Sequence, residues 1–217
     1  MTVHSAADRT GSGDKRERIL FAAERIFARH GFFAAKVSDV AKEAGVADGT
    51  IYLYFKSKDD LLISLFERRM LELTEALQTA IAGKSPREQL RAFIRTYLQK
   101  CADEAAATEV LTIELRQSSK FMKEYENPAF ADFLRMLGGI ITAAQASGDL
   151  TQAIPAHIAA RMIFGVLDEL ALAWVLAKQP FGGGAAGARP KKFDIVRAAD
   201  WVITLITTGL EAHKESK

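Results

Sequence analysis

Cysteine, proline and long apolar runs are all scarce in this chain of 217 residues. Cys101 is the only cysteine, so no disulfide can form within the chain, which favours a reducing cytoplasmic setting. The longest apolar run, Leu170 to Ala177, is far shorter than the ~20 residues of a membrane-spanning helix. The polar residues 1–13 contain no stretch that could serve as a signal peptide. We therefore expect no association with a membrane.

An excess of positive charge is also missing. Lysine and arginine number 29, aspartate and glutamate number 27, and the net charge is +2. This balance excludes a strongly basic nucleic-acid-binding protein, so any DNA-binding surface must be a local patch. Hydrophobic residues make up 49% and charged residues 26%, which is the usual balance of a globular protein with a sizeable core.

Helical periodicity is what the chain has in abundance. Apolar residues recur at helical spacing along most of the sequence, and Ser57, Ser85-Pro86 and Asn127-Pro128 are signals for the start of a helix. We predict an all-α protein of about nine helices. They cover residues 14–30, two short segments between 37 and 55, and residues 58–83, 86–104, 109–118, 128–148, 155–179 and 193–213.

The two short segments have the pattern of a helix-turn-helix. Val37, Val40 and Ala41 share one helix face, and Gly45 can adopt the left-handed conformation that ends a helix. A second short helix, residues 48–55, follows almost at once. In a helix-turn-helix the second helix enters the DNA major groove, where hydroxyl groups and lysines contact phosphates and base edges. The predicted DNA-binding residues are Lys36, Ser38, Thr50, Tyr52, Tyr54, Lys56 and Lys58.

Three regions follow from this pattern. We predict a disordered arm over residues 1–13, a three-helix DNA-binding head over 14–60, with Phe32 and Phe33 packed under the helix-turn-helix, and a helical ligand-binding and dimerisation body over 61–217. The Gly/Ala-rich residues 180–190 are expected to form a mobile loop.

The last two predicted helices are apolar around most of their circumference. A helix of this kind must be buried on more than one side, so we expect the last two helices to pack against the same pair in a second copy. Such a homodimer would place two reading helices about one DNA turn, ~34–36 Å, apart. Asp168 and Glu169 lie within this apolar sequence, and a structural ion pair with Arg161 or Arg116 is the favoured interpretation, with ligand or interface roles as alternatives.

Taken together, the sequence resembles the TetR family of bacterial transcriptional regulators. The motifs that carry the resemblance are ILFAAERIFARHGF and DVAKEAGVADGTIYLYFKSKDDLL. The resemblance implies a homodimer that binds operator DNA and a body with an internal small-molecule pocket. By position, Thr50, Tyr54 and Lys58 would hold phosphates and Tyr52 would approach a base edge. Lys36 and Ala47 depart from the family, because both replace residues that commonly cap the two short helices.

The body is more weakly similar to the TetR-family repressors of fatty acid degradation that respond to long-chain acyl-CoA. That similarity rests on IELRQSSKFMKEY, SGDL and ARMIFGVLDELALAWVLAK. An acyl chain needs a long apolar tunnel, and a CoA head needs cations for its phosphates. The predicted ligand-binding residues are Phe93, Tyr97, Leu111, Leu115, Arg116, Phe133, Leu137, Met162, Phe164 and Trp174, all of which could equally be ordinary core or surface.

Two other functions remain as alternatives. A multidrug-sensing repressor of an efflux pump would use aromatic walls and acidic groups, and Asp168 and Glu169 are compatible with that. An enzyme is disfavoured, because the sequence has no Ser/His/Asp order and no phosphate-binding glycine motif after a strand. The four histidines lack metal-ligand spacing, so we predict no metal, no catalytic residue and no cofactor.

Overall fold

The protein is all-helical over residues 6–177 and 193–210, which are the residues that the computed structural model describes. Within these ranges there are ten α-helices and one short 3-10 helix, Glu114–Gln117. The α-helices are α1 Ala6–His30, α2 Val37–Ala44, α3 Asp48–Tyr54, α4 Lys58–Ile81, α5 Pro86–Asp103, α6 Ala105–Thr112, α7 Ser119–Glu124, α8 Pro128–Ala146, α9 Ala156–Leu176 and α10 Ile195–Leu210. The predicted all-α fold is confirmed.

Two boundaries differ from the prediction. Helix α1 begins at Ala6, so residues 6–13 are its first turns and not part of a disordered arm. Once a helix is nucleated, each further residue adds a hydrogen bond, which extends a helix beyond its best start signal. The expected break near residue 105 is confined to Glu104, and α6 starts directly after it. The predicted helix 109–118 is divided between α6 and the 3-10 helix.

Contacts divide the chain into two compact units. Among the described residues, the head unit contains those up to Arg69 together with Glu109–Tyr125, and the body unit contains Met70–Thr108 and those from Glu126 onward. The predicted division had a single boundary at residue 60. In this division by contacts, the head unit extends to Arg69, and the chain leaves the body unit after Thr108, joins the head unit, and returns at Glu126. Periodicity along the sequence carries no signal for such a long-range excursion.

The head unit has a core built on α1, α2 and α4. Its fully buried side chains include Phe27, Phe55 and Leu61. Arg69 of α4 donates two hydrogen bonds to the carboxylate of Glu24 in α1, at 2.6 and 2.7 Å. Both side chains are almost fully buried, so each charge depends on the other to offset its lost hydration.

The body unit is a bundle in which α5 packs against α8, α9 and α10, and α9 packs against α8 and α10. The start of α5 is the predicted one: the backbone N–H and the hydroxyl of Ser85 both donate to the carboxylate of Glu88, at 3.1 and 2.6 Å. These hydrogen bonds lower the pKa of Glu88. Helix α8 starts at Pro128, and the amide side chain of Asn127 accepts a hydrogen bond from the N–H of Phe130.

Some predictions fall outside the described residues: the mobile loop 180–190, the start of the chain, and the final turn of the last helix toward His213. None of the helices in the described ranges is long and apolar enough to cross a membrane.

Candidate DNA-binding and ligand-binding sites

The corner between α2 and α3 is held by a left-handed glycine and a partly buried hydrogen bond from an arginine. Gly45 has φ 67°, and the N–H of Val46 donates to the carbonyl of Ala41 at 3.0 Å. The guanidinium of Arg18 in α1 donates to the carbonyl of Ala44 at 2.6 Å, at the end of α2 where carbonyls lack partners within the helix. This geometry fixes the angle at which α3 leaves α2, and it confirms the role predicted for Gly45.

Neither of the two short helices has a side-chain cap at its start. Lys36 precedes α2 and Ala47 precedes α3, and neither side chain makes a capping hydrogen bond. A missing cap costs about 1 kcal/mol, which the helix must recover from packing. Ile51 supplies that packing for α3, because it is almost completely buried against the head unit.

The predicted DNA-binding residues lie mostly on the solvent side of the head unit. Tyr52 is 59% exposed, and Lys36, Ser38 and Lys56 are also exposed. Thr50 and Tyr54 are half-buried on the flanks of α3. Had Tyr52 and Thr50 both been buried in the core, the prediction of a reading helix would have failed. Their role in DNA binding stays a prediction.

Lys58 has a structural role that the sequence did not show. Its ammonium group donates to the carbonyls of Phe32, Phe33 and Ala35, at 2.7, 3.2 and 3.2 Å. It also lies 4.6 Å from the centre of the Phe32 ring. All three protons of the ammonium group are therefore used inside the head unit, and a phosphate would have to compete with these carbonyls.

In the loop held by Lys58, one of the two phenylalanines predicted to pack under the helix-turn-helix does not do so. Phe32 is buried as expected, but Phe33 is 71% exposed. Gly31 has φ 74°, and the tight turn that follows it carries the two neighbouring side chains to opposite sides. A second exposed apolar residue, Leu53 of α3, was not among the predicted site residues, although helical spacing places it opposite the buried Ile51.

Residues 109–125 attach to the head unit through a series of polar contacts. The buried carboxylate of Glu114 accepts hydrogen bonds from the N–H of Phe32, at 2.5 Å, and from the amide of Gln117, at 3.0 Å. The hydroxyl of Ser118 donates to Asp59 at 2.6 Å. We call Glu109–Tyr125 the docking segment, because it begins within α6, follows α5 in sequence, and yet belongs to the head unit.

The far end of the docking segment rests on α4. The hydroxyl of Tyr125 donates to the carboxylate of Glu67 at 2.6 Å. Burial and this hydrogen bond to Glu67 both raise the pKa of Tyr125. The ring of Phe121 lies 5.1 Å from that of Phe66 and 5.4 Å from that of Tyr125. The segment is thus fixed to α4 by both polar and aromatic contacts.

Three of the predicted ligand-binding residues belong to this docking segment and not to the body unit. Leu115 is buried, Leu111 is half-buried, and Arg116 is exposed and donates to the carbonyl of Thr112. Their role in ligand binding stays a prediction.

In the body unit, the structure brings four of the predicted residues into one aromatic cluster with Phe130. Ring centres are 5.3 Å apart for Phe93 and Phe133, 5.6 Å for Phe133 and Phe164, and 6.5 Å for Tyr97 and Phe164. Phe130 lies 4.8 Å from Phe164. We define the aromatic cluster by its members: Phe93, Tyr97, Phe130, Phe133 and Phe164. Periodicity also placed Phe130 on the apolar side of its helix, but only the ring distances show that it packs with the other four.

The remaining predicted ligand residues divide between interior and surface. Leu137 and Trp174 are buried in the body unit. Met162 is 55% exposed on α9, so it does not line an interior wall as predicted. The physical reason is its position on the helix: Ile163, one residue later, takes the buried side instead.

Met162 belongs to an apolar surface on the last two helices. Exposed large side chains on α9 and α10 include Ile158 and Met162 on the first helix and Trp201 and Leu205 on the second. Helices α9 and α10 pack against each other within the body unit. We call these four residues the apolar face. Large exposed apolar patches are typical of interaction surfaces, so the apolar face is a candidate for one.

The two carboxylates predicted within α9 differ in their surroundings. Glu169 is exposed, so it needs no buried cation, contrary to the prediction. Asp168 is half-buried, and its charge acts on the thiol of Cys101. Burial raises the pKa of the Cys101 thiol to about 12, and the charge of Asp168 adds to that effect.

Comparison with known proteins decides the family. A family model described as bacterial regulatory proteins, tetR family, matches residues 19–65. A second, described as YsiA-like protein, C-terminal region, matches residues 66–209. The chain belongs to the TetR family of bacterial transcriptional regulators. It is therefore a regulator and not an enzyme.

Individual TetR-family relatives match nearly the whole chain. The fatty acid metabolism regulator protein of Bacillus subtilis is 34% identical over 197 residues, which are 90% of this chain and 95% of that protein. The structure of FadR from Bacillus subtilis in complex with stearoyl-CoA superposes with a TM-score of 0.79 at 34% identity, covering 90% and 99% of the two chains. The fatty acid degradation regulator FadR from Bacillus halodurans gives 0.78 at 30% identity, with 90% and 99% covered.

Proposed function

We propose that this TetR-family chain is a homodimeric repressor that long-chain acyl-CoA releases from operator DNA. The observation that carries the proposal is the similarity, over nearly the whole chain, to a regulator crystallised with stearoyl-CoA. The head unit supports the DNA-binding part, because a rigid corner presents Tyr52 to solvent. The body unit supports the ligand-binding part through its aromatic cluster.

DNA binding in this proposal uses hydroxyl and ammonium groups on and around α3. Tyr52 approaches a base edge from the exposed side of α3, and Thr50 and Tyr54 donate to phosphates on the two flanks. Lys36 and Ser38 contact the backbone from the start of α2, and Lys56 does so from beyond α3. Lys58, which was predicted to hold a phosphate, is assigned a different part in this proposal: its contacts to three carbonyls support the loop before α2.

Dimer formation uses the apolar face. Full burial of a large apolar side chain gains about 1.5–3 kcal/mol, and Trp201 and Leu205, which are 54% and 63% exposed, would each gain roughly half of that. A two-fold axis repeats the same face on both copies, so each of the exposed side chains contributes twice. DNA binding depends on this dimer, because half-sites about one helical turn apart require two linked reading helices.

The acyl chain is proposed to bind in the body unit against the aromatic cluster, with Leu137 and Trp174 as further apolar neighbours. A saturated chain offers only methylene groups, and each one buried gains about 0.8 kcal/mol. Aromatic edges and faces can accommodate such a chain without leaving polar groups unpaired. The cluster is therefore the first place in the body unit where substitutions should change effector binding.

Release from DNA requires that the effector prefer the conformation that does not bind the operator. The docking segment offers a physical link, because it is covalently continuous with α5 through the first half of α6 on one side and with α8 on the other. Its contacts to Phe32, Asp59 and Glu67 connect it with the loop that follows α1 and with α4 of the head unit. A change at the ends of those body helices would be passed to the head through these contacts and through α4.

Two experiments test the proposal. Thermal-shift measurements should show a rise in melting temperature with oleoyl-CoA and not with free CoA, because ligands that bind only the folded state stabilise it by mass action. A cationic dye that stabilises the protein while acyl-CoA does not would favour the efflux-pump alternative. For the head, Thr50→Ala combined with Tyr52→Ala should weaken specific DNA binding without changing the melting temperature. Full affinity in that double variant would contradict the assignment of α3 as the reading helix.

A further inference from the structure

Leu53 is exposed in an unusual place. At 81%, no large hydrophobic side chain in the described residues is more exposed. It lies on α3, a helix of seven residues, between Tyr52 and Tyr54. Leucine can neither donate nor accept a hydrogen bond, so it cannot take part in the phosphate or base-edge contacts proposed for its neighbours.

Helical geometry places Leu53 in the middle of the outer surface of α3. Successive residues turn by about 100°, so Leu53 and Gly49 both point about 160° away from the buried Ile51. A Cβ atom added at Gly49 would meet nothing within 4 Å, so the surface around Leu53 is open. Thr50 and Tyr52 lie on its two sides. The centre of this face is apolar and its borders carry hydroxyl groups.

An apolar group at the centre of a reading helix has one chemical counterpart on DNA. In the major groove the four bases present hydrogen-bond donors and acceptors, and only thymine adds an apolar group, the C5-methyl. A leucine that meets a donor or acceptor instead would leave that group without water or a partner, which is unfavourable. The side chain therefore favours thymine by contact and disfavours the other bases by desolvation.

We propose that Leu53 is a specificity-determining residue that recognises the C5-methyl group of a thymine in each operator half-site. This inference rests on the proposed function, because it requires α3 to enter the major groove. Its content is separate, since Tyr52, Thr50 and the lysines could bind an operator without any preference for a methyl group.

The test uses uracil, which differs from thymine only by the missing methyl group. The full-length protein first selects its preferred sites from a random duplex library. Each thymine of the selected site is then replaced, one position at a time, by deoxyuridine, and the dissociation constant is measured by fluorescence anisotropy. At one position per half-site we expect the wild-type protein to bind about fourfold more weakly after the replacement, the effect of losing one buried methyl contact.

The variant Leu53→Ala should bind the thymine and deoxyuridine duplexes with equal affinity. The matched control is Leu71→Ala, which truncates a leucine of α4 that is 60% exposed and should keep the fourfold preference. Circular dichroism melting of Leu53→Ala should match the wild type, because an exposed side chain contributes little to stability. A preference that persists in a folded Leu53→Ala protein would overturn the inference, as would a wild-type protein indifferent to deoxyuridine at every position.

The experiment distinguishes a failure of the proposal about Leu53 from a failure of the proposed function. If the wild-type protein selects no sequence from the library, the reading helix is misassigned and both proposals are overturned. If it selects a clear two-fold site but shows no loss on replacement of any thymine, then the regulator account stands and only the role of Leu53 is overturned.

Discussion

Removing the carboxylate of Glu114 should destabilise the head unit. Glu114 is buried, and its oxygen accepts a hydrogen bond from the N–H of Phe32 at 2.5 Å. In Glu114→Ala that buried N–H loses its partner, and the cost of a lost hydrogen bond to a charged group is about 1.5–3 kcal/mol. For a chain of this size, a change of that magnitude lowers the melting temperature by about 5–10 °C.

The variant Glu114→Gln separates the hydrogen bond from the charge. Its amide oxygen can still accept from Phe32, so we expect a loss of only about 1 kcal/mol. The control is Glu124→Ala, which removes an exposed carboxylate from the same docking segment and should change stability by less than about 0.5 kcal/mol. Melting is followed by circular dichroism at one protein concentration, because dimer formation would make the temperature depend on concentration.

Operator binding adds a second measurement to the Glu114 series. If the docking segment positions the head, then Glu114→Ala should weaken operator binding and also weaken the response to the effector, whereas Glu124→Ala should leave both unchanged. A Glu114→Ala protein with wild-type melting temperature would refute the reasoning, because it would show that the contact to Phe32 contributes nothing to the head.

Three further predictions follow from single contacts. Lys58→Met should lower the free energy of unfolding by about 1–2 kcal/mol in urea denaturation, since three carbonyls lose their donor. Lys56 is exposed, so Lys56→Met should keep its stability and instead reduce the salt slope of operator binding by about one. Equal stability of the two variants would argue against the structural role of Lys58. Replacing Trp201 and Leu205 by Glu should yield monomers in light scattering, and a persistent dimer would place the interface elsewhere. Burial raises the pKa of the Cys101 thiol to about 12 from an ordinary value of 9.0, so the stability that depends on the neutral thiol is present below pH 9 and is lost as the pH rises toward 12. At pH 8 the folded protein should react with iodoacetamide at least about tenfold more slowly than the protein unfolded in urea, because less of its thiol is ionised. Equal reaction rates would contradict this prediction.

Local signals in the sequence predicted most of the fold. The turn at Gly45 could be predicted because one residue has to adopt a left-handed conformation between two short amphipathic helices. The start of α5 could be predicted because Ser85 suits the capping position and Pro86 the first helical position; the structure adds Glu88 to this cap. These features depend on residues close together in sequence, which is why periodicity and capping rules are sufficient for them.

Features that depend on distant residues could not be predicted in this way. The docking segment joins the head unit through contacts between residues about 60 to 80 positions apart, such as Glu114 with Phe32 and Ser118 with Asp59. The structural role of Lys58 is of the same kind. Its sequence neighbourhood is typical of a phosphate-binding lysine, and only the folded head shows that three carbonyls already occupy its ammonium group.

The candidate site was predicted unevenly for a similar reason. Exposure of Tyr52 follows from its place beside the buried Ile51 on a short helix. Membership of the aromatic cluster follows from how α5, α8 and α9 pack, so the predicted ligand-binding residues omitted Phe130 and included Met162, which is exposed on α9. Amphipathic periodicity gives the buried side of each helix but not which neighbour fills it.

The measurement that tests the account most directly is operator affinity as a function of acyl-CoA concentration. A duplex carrying the selected site is labelled, bound to the full-length protein, and titrated with oleoyl-CoA, free CoA and oleate in separate fluorescence anisotropy experiments. The account predicts that oleoyl-CoA weakens binding by at least about fivefold, the lower end of typical allosteric coupling, while free CoA leaves it unchanged. Operator affinity that is the same with and without saturating oleoyl-CoA would contradict the account.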